Sequence, residues 1–127
     1  MKTFLTILCL LFCVEAYAVL PAYSDVRAYV EKHNPNDQTP ATNRIFINFE
    51  WSDSVIVPYH AGMKLEDVIK QSKFKGKDVF TFVFRGESRD RPGIPIYDIR
   101  FTKVKRSEFV VRPLDAIHLV DIRTPIN

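Results

Sequence analysis

Apolar and polar residues alternate along the segment that begins at Arg44, which is the period-two pattern of a β-strand. The apolar positions of one side are Ile45, Ile47, Phe49 and Trp51. The positions of the other side are Arg44, Asn48 and Glu50, with Phe46 as an apolar exception. The sequence Ser52-Asp53-Ser54 predicts a turn, after which residues 55–57 form a second strand. Pro58 ends the pairing of that strand or places it at a sheet edge, so we predict a β-hairpin.

Helical spacing replaces the alternation at the start of the chain. Val26, Tyr29 and Val30 form a narrow apolar stripe that predicts a helix over 25–33, with Ser24 as its N-cap. The segment 34–43 consists of residues that favour turns and interrupt helices, so we interpret it as a linker. We expect the compact domain to begin after this linker.

A second helix is predicted to open after Gly62. Leu65, Val68 and Ile69 recur at the spacing that brings them to one face, which we expect to pack on the sheet. Glu66 precedes Lys70 by four residues, the favourable order for an ion pair on a helix. The segment 73–78 then ends the helix through Gly76.

The strongest strand signal is the segment 79–85. Phe80, Phe82 and Phe84 lie on one side of it, and the other side carries Val79, Thr81 and Val83. Both sides are largely apolar, which is typical of a strand that is covered on its two faces. We expect Phe82 to face the helix that carries Leu65. Further strands are predicted over 94–101, 109–111 and 117–122.

This order of elements resembles the β-grasp or ubiquitin-like fold, an α+β arrangement in which one helix packs across a mixed sheet. The segment VIVPYHAGMKLEDVI (55–69) is similar to a signature of soluble-ligand-binding β-grasp (SLBB) domains, and VRPLDAIHLV (111–120) is similar to their closing strand. The sequence departs from the family pattern at Lys64, which replaces a Thr or Ser cap, and at Leu114, which replaces a Gly. The resemblance covers residues 44–122. It implies a β-grasp fold and a role in binding a soluble ligand or a saccharide. The short N-terminal helix, predicted from its spacing, precedes this region.

The first 18 residues have the pattern of a signal peptide. Lys2 precedes an apolar stretch over 4–14, and Ala16-Tyr17-Ala18 supplies the small residues that signal peptidase requires. We therefore divide the chain into a signal peptide (1–18), an N-terminal helix and linker (19–43) and a β-grasp-like domain (44–127). Cleavage removes 18 of the 127 residues and leaves 109.

Cleavage also changes the chemistry that is available to the mature chain. Both cysteines, Cys9 and Cys13, leave with the signal peptide, so we expect a domain without disulfides. Lys2 and Glu15 leave together, so the formal charge stays at +3. This charge is low for a nucleic-acid-binding domain, so we expect no nucleic-acid partner. The apolar stretch is too short to span a bilayer, so we expect no membrane span in the mature protein.

Candidate catalytic groups are few. The histidines His33, His60 and His118 do not occur at metal-ligand spacing, so we expect no metal site and no cofactor. His118 has Asp115 and Asp121 nearby in sequence and is the one candidate for a general base, but a half-buried strand residue fits the same pattern. The sequence contains no nucleophile elbow and no phosphate-binding glycine loop. We therefore expect no catalytic residues.

Two basic segments are candidate binding sites. The lysine cluster consists of Lys70, Lys73, Lys75 and Lys77. Lysines in such clusters bind anionic glycans, and they also complement the dipole at a helix C-terminus. The second segment, the loop 85–93, carries Arg85, Arg89 and Arg91, whose planar guanidinium groups are common at interfaces.

The sequence thus favours a secreted, non-enzymatic module that binds an extracellular ligand, either an anionic glycan or a protein. Two alternatives stay open. One is a structural or matrix protein that self-associates through an edge strand such as 55–57, and the other is a small secreted hydrolase.

The secreted protein is predicted to begin at Val19, because Ala16 and Ala18 form the only small-x-small site that is correctly placed after the apolar stretch. The intact mass of protein recovered from culture medium measures this directly. A mass that includes Cys9 and Cys13 would contradict both the cleavage site and the expected absence of a disulfide.

Overall fold

The computed structural model describes residues 21–75, 78–86, 95–98 and 105–121. Within these ranges the chain forms an α+β fold with a mixed sheet and two helices. The helices are α1 (Tyr23–His33) and α2 (Leu65–Gln71). The strands are β1 (Arg44–Phe49), β2 (Asp53–Pro58), β3 (Val79–Phe84), β4 (Tyr97–Asp98) and β5 (Ala116–Asp121). The predicted α+β class is confirmed.

The five strands lie side by side in the order β2-β1-β5-β3-β4. The pair β1–β5 is parallel, and the other three pairs are antiparallel. The predicted hairpin is confirmed, with Phe49 opposite Asp53 at one end and Arg44 opposite Pro58 at the other. Strand β2 is at the edge of the sheet and ends at Pro58, as predicted for a residue that cannot donate a ladder hydrogen bond.

The hairpin turn is displaced from the predicted position. Asp53 already belongs to β2, and the chain reverses at Glu50 and Trp51, where φ is 51° and 57°. Left-handed backbone costs a residue other than glycine about 1–2 kcal/mol. Hydrogen bonds offset this cost, because the N–H of Ser52 donates to the carbonyl of Phe49 at 2.9 Å and that of Trp51 donates to Oδ1 of Asn48 at 3.0 Å.

This turn also changes the side of the sheet on which Trp51 lies. The strand pattern groups Trp51 with Ile45, but β1 ends at Phe49 and the alternation ends with it. The indole lies instead beside Tyr29 of α1, with ring centroids 5.1 Å apart, and its backbone carbonyl accepts a hydrogen bond from the Tyr29 hydroxyl. The hairpin tip is thereby attached to α1.

The sheet has an apolar layer on each face. On one face, Leu65, Val68 and Ile69 of α2 pack with residues such as Ile45 and Val83, which confirms the predicted face of that helix. On the other face, α1 contributes Val26 and Val30. The sheet residues buried with them are Phe46, Ile56, Phe82, Phe84 and Ala116.

This second layer explains Phe46, the apolar exception in β1, because it lies under α1. It also corrects the expectation for Phe82, which belongs to the α1 layer and does not face α2. Alternation separates the two sides of a strand. When both sides are apolar, however, the pattern does not indicate which side each helix covers. Helix α1 therefore shares a core with the sheet, whereas the sequence led us to expect a compact domain that begins only after the linker 34–43.

The helix ends differ from the predictions by a few residues. Helix α1 begins at Tyr23, so Ser24 is not its N-cap, and the N–H of Ala22 donates to the Asp25 carboxylate at 3.1 Å. In α2 the N–H of Lys64 donates to the Asp67 carboxylate at 3.0 Å, which satisfies a backbone group at the helix start without a Thr or Ser. Helix α2 ends at Gln71 rather than in the segment 73–78, and Gly76 is outside the described residues.

The last predicted strands are shorter in the structure. Of the segment 94–101, residues 97–98 form β4, and residues 94 and 99–101 are outside the described residues. The segment 109–111 forms an isolated bridge between Val110 and Lys64 instead of a strand. Strand β5 begins one residue earlier than predicted, at Ala116, and Ile122 is outside the described residues.

Replacing Phe82 by Ala is expected to lower the free energy of unfolding by about 3–5 kcal/mol, because Phe82 is only 2% exposed and its removal leaves a cavity between β3 and α1. Phe80 is on the same side of β3 but only partly buried, so Phe80→Ala serves as the matched control with a smaller loss. Chemical denaturation measures both. Equal losses for the two variants would contradict the placement of Phe82 in this layer.

Candidate functional site

Three arginines from separate segments line one cleft at the start of β1 and β5. The cleft has a volume of about 300 Å³. We call it the arginine cleft, and it is lined by Tyr23, Arg27, Arg85, Gly86, Arg112, Pro113, Leu114 and Asp115. Helix α1, the end of β3 and the turn that precedes β5 each contribute part of it.

Arg85 is held in a fixed orientation by Asp115. Its Nε and Nη2 donate to the two carboxylate oxygens at 2.9 and 3.2 Å, and Nη2 also donates to the carbonyl of Val110 at 3.1 Å. The guanidinium group lies over the ring of Phe109, with its carbon 5.5 Å from the ring centroid. Arg85 therefore presents its remaining N–H groups in one direction.

Asp115 is almost fully buried at the base of the cleft. Burial raises the pKa of its carboxyl group, and hydrogen bonds from Arg85 and from the backbone N–H of Arg112 act in the opposite direction. A buried ion pair of this kind contributes little net stability, because the cost of desolvation offsets the attraction. Its effect here is to fix the position of Arg85.

Arg27 is oriented by groups on α1 and in the sheet. Its Nε donates to the Glu31 carboxylate at 2.6 Å, and its guanidinium carbon is 5.2 Å from the centroid of the Phe46 ring. The hydrogen bond to Glu31 raises the pKa of Arg27, so the group stays charged. Nη1 of Arg27 is 3.4 Å from the Tyr23 hydroxyl, which donates to the carbonyl of Leu114 at 2.8 Å.

The turn before β5 forms one wall of the cleft. Leu114 has a φ of 70°, a left-handed conformation that residues other than glycine adopt uncommonly. Its N–H donates to the carbonyl of Arg44 at 2.7 Å, and its carbonyl accepts from Tyr23. Gly86 allows the Tyr23 ring to approach this wall, since a Cβ at Gly86 would lie 3.1 Å from Cε1 of Tyr23.

Arg112 is the third arginine of the cleft and is exposed. Among the described residues its side chain makes no hydrogen bond or ion pair, and the nearby Asp115 carboxylate, which is already paired with Arg85, attracts it only at longer range. The cleft therefore contains two oriented guanidinium groups and a third that is available to a ligand.

The lysine cluster is a different kind of surface. Lys70 pairs with Glu66 at 3.3 Å, which confirms the predicted ion pair, and Lys73 pairs with Asp53 of β2. Lys75 is exposed, whereas Lys77 is outside the described residues. Phe74 is buried in the core below these lysines. The cluster is thus partly neutralised by carboxylates, and of its described members Lys70 lines a separate open pocket of about 340 Å³ together with His60 and Asp67.

The described residues of the two basic segments lie apart. Lys73 contacts Asp53, opposite the end of β1, whereas Leu114 contacts Arg44 at the beginning of β1. A strand of six residues is about 17 Å long. Of the loop 85–93, Arg85 lies in the arginine cleft, and Arg89 and Arg91 are outside the described residues.

His118, the candidate general base, is a buried residue of β5. It lies between the rings of Trp51 and Phe82, and its Nδ1 is 3.3 Å from Nδ2 of Asn48. Burial lowers the pKa of His118 to about 4, against a smaller opposite effect of Glu50. The imidazole is therefore neutral at pH 7 and packed in the sheet, where it orients Asn48 for the hairpin turn.

The other two histidines are exposed and lie in separate places. His33 is the last residue of α1, with Nδ1 2.9 Å from the carbonyl of Tyr29, and His60 is in the loop between β2 and α2. In the part of the chain that the structure describes, no group of three or more His, Cys, Asp or Glu side chains is arranged to hold a metal ion.

Comparisons with known protein families, with curated proteins and with solved structures found no match. A search of the described residues finds no helix with the length and apolar character that crossing a membrane requires.

The sequence pattern identified one of the three arginines of the cleft. Arg27 looked like a polar position of a surface helix, and Arg112 looked like part of a turn. One signal was present, because Arg112 and Leu114 belong to the segment with the SLBB resemblance and Leu114 replaces a Gly there. The proximity of Arg27 to that turn depends on the packing of α1, which the sequence did not predict.

The stability of the protein is expected to decrease as the pH falls from about 6.5 to about 4. The unfolded chain takes up a proton on His118 near its ordinary pKa of about 6.5, but the folded protein does so only near 4, so protons favour unfolding in this interval. The expected contribution is roughly 3 kcal/mol. Denaturation at a series of pH values measures it, with His118→Gln predicted to remove this part of the dependence. His60→Gln, at an exposed position, is the control, and an equal effect of both variants would contradict the assignment.

Proposed function

We propose that this chain is a secreted, non-enzymatic binding module that recognises an acidic group of an extracellular ligand in the arginine cleft. The observation that carries the proposal is Arg112, whose guanidinium group makes no hydrogen bond among the described residues and which lines the same cleft as Arg27 and Arg85. Guanidinium groups bind carboxylates, sulfates and phosphates through pairs of charge-assisted hydrogen bonds. Two of these groups are already oriented, which lowers the entropy cost of binding.

The β-grasp assignment is part of this proposal. It is supported by the strand order β2-β1-β5-β3-β4, by the parallel pair β1–β5 at the middle of the sheet, and by the position of α2 in the connection between β2 and β3. The similarity of segments 55–69 and 111–120 to SLBB domains supports the same assignment. Helix α1 is an addition to this arrangement and covers the second face of the sheet.

Secretion is supported by the pattern of the first 18 residues, namely Lys2, the apolar stretch 4–14 and the Ala16-x-Ala18 site. A binding role is supported by the state of the acidic and basic groups near the cleft. Asp115 and Glu31 are engaged by Arg85 and Arg27, and His118 is buried in the sheet. These groups serve to position the arginines and the hairpin.

Retention on immobilised heparin at low ionic strength tests the proposal. The wild-type mature protein is expected to be retained, and to elute as salt shortens the Debye length from about 10 Å at 0.1 M to about 3 Å at 1 M. Arg112→Glu is expected to abolish retention, because it reverses the charge of the cleft arginine whose guanidinium group makes no hydrogen bond among the described residues. Lys75→Glu makes the same change of charge at an exposed position outside the cleft, and this variant is expected to remain bound.

Two outcomes would contradict the proposal. Wild-type protein that passes through heparin at low salt would contradict recognition of an anionic ligand of this class. Retention that survives Arg112→Glu but is lost when Lys73, Lys75 and Lys77 are changed to Glu would assign binding to the lysine cluster instead. Thermal unfolding of each variant confirms that the fold is retained.

A further inference from the structure

The arginines of the cleft come from three separate segments of the chain. Arg27 is on α1, Arg85 follows β3, and Arg112 precedes β5. The first two are fixed by Glu31 and Asp115. A ligand that uses all three must therefore offer acceptor oxygens to three separate guanidinium groups.

The hydrogen-bonding capacity that remains for a ligand is distributed among all three arginines. Arg85 uses Nε and Nη2 for Asp115 and Val110, and Arg27 uses Nε and Nη1 for Glu31 and Tyr23. Among the described residues, Nη1 of Arg85, Nη2 of Arg27 and the whole Arg112 side chain make no other hydrogen bond. Each of the three arginines thus retains N–H groups that can donate to a ligand, so the donors of the site are divided among three side chains.

A carboxylate does not match this distribution of donors. Its two oxygens each accept more than one hydrogen bond, but both lie in one plane with the carbon that carries them. The terminal oxygens of a sulfate or phosphate monoester number three and are arranged around a tetrahedral centre. Each of the three can accept from a different arginine. We infer that the arginine cleft selects a tetrahedral oxyanion, a sulfate or phosphate monoester, over a carboxylate; the inference rests on the proposed function and adds the class of its ligand.

The charge and size of the cleft agree with this ligand. Three guanidinium groups against the carboxylates of Glu31 and Asp115 leave one positive charge for the ligand. The volume of about 300 Å³ is at the lower end of the range for small-molecule sites. Tyr23, Pro113 and Leu114 add apolar surface beside the arginines, so the cleft has room for the acidic group and the ring that carries it.

A set of probes that share one ring tests the inference on the full mature protein. The probes are phenyl sulfate, phenyl phosphate, benzoate and, as an uncharged control, phenol. Binding is measured by calorimetry, and the site is identified from the NMR signals of the arginine Nε–H groups. At least one monoester is expected to bind about tenfold more tightly than benzoate, because it gains an additional charge-assisted hydrogen bond. The ratio between phenyl sulfate and phenyl phosphate then identifies which ester the cleft prefers.

Two variants of Arg112 separate charge from geometry. Arg112→Lys keeps the charge but loses the planar pair of donors, and is expected to weaken binding of the preferred monoester about tenfold. Arg112→Ala is expected to weaken it further, whereas Lys75→Ala should leave it unchanged. Arg112 and Lys75 are exposed, so these changes test binding without removing a buried group.

The inference is overturned if benzoate binds as tightly as both monoesters, a result that leaves recognition of an acidic group in the cleft intact. It is also overturned if neither monoester binds while heparin retention still depends on Arg112. Monoester binding that is unaffected by Arg112→Ala would overturn it as well, because the anion would then occupy another surface. Failure of the proposed function is a different result, namely the absence of both probe binding and heparin retention.

Discussion

The position of β5 between β1 and β3 is the constraint on which the rest of the structure depends. This strand follows all the others in sequence, yet it is the middle strand of the sheet, parallel to β1 and antiparallel to β3. The pairing of Phe46 with Ala116 closes a long stretch of chain, so the two sides of the sheet join only when β5 is inserted. The turn before β5 is then held against β1, where Arg44 and Phe46 exchange backbone hydrogen bonds with Leu114 and Asp115. Since this turn carries Arg112, the same contacts that complete the sheet also assemble the cleft.

Helix α1 connects the core to the cleft in a similar way. Val26 and Val30 are buried against the sheet, while Tyr23 and Arg27 of the same helix line the cleft. The helix would have little stability as an isolated segment of eleven residues, so its conformation depends on this packing. An intact core is therefore a condition for the geometry of the three arginines.

The sequence was most informative where one signal had one interpretation. The alternation in β1, Pro58 at the edge of the sheet and the stripe Leu65, Val68 and Ile69 all correspond to elements that the structure contains. It was less informative where both faces of a strand are apolar, because alternation could not indicate whether Phe82 packs against α1 or α2. The turn at Glu50 and Trp51 was missed because neither residue favours left-handed backbone, and the contacts that hold it there come from Asn48 and from α1. The cleft depends on contacts between segments that are remote in sequence, so only Arg85 was found beforehand.

The strained hairpin turn has a consequence for how this protein can be observed. Trp51 is the only tryptophan of the chain, and its indole lies 5.4 Å from the buried imidazole of His118 and 5.1 Å from the Tyr29 ring. The indole thus reports on the contact between the hairpin tip, β5 and α1. The turn that carries Arg112 and Leu114 is held at Arg44, the opposite end of β1 and about 17 Å away along the strand. The intrinsic emission of the protein is therefore a local optical probe of core integrity, placed where a ligand in the cleft does not touch it.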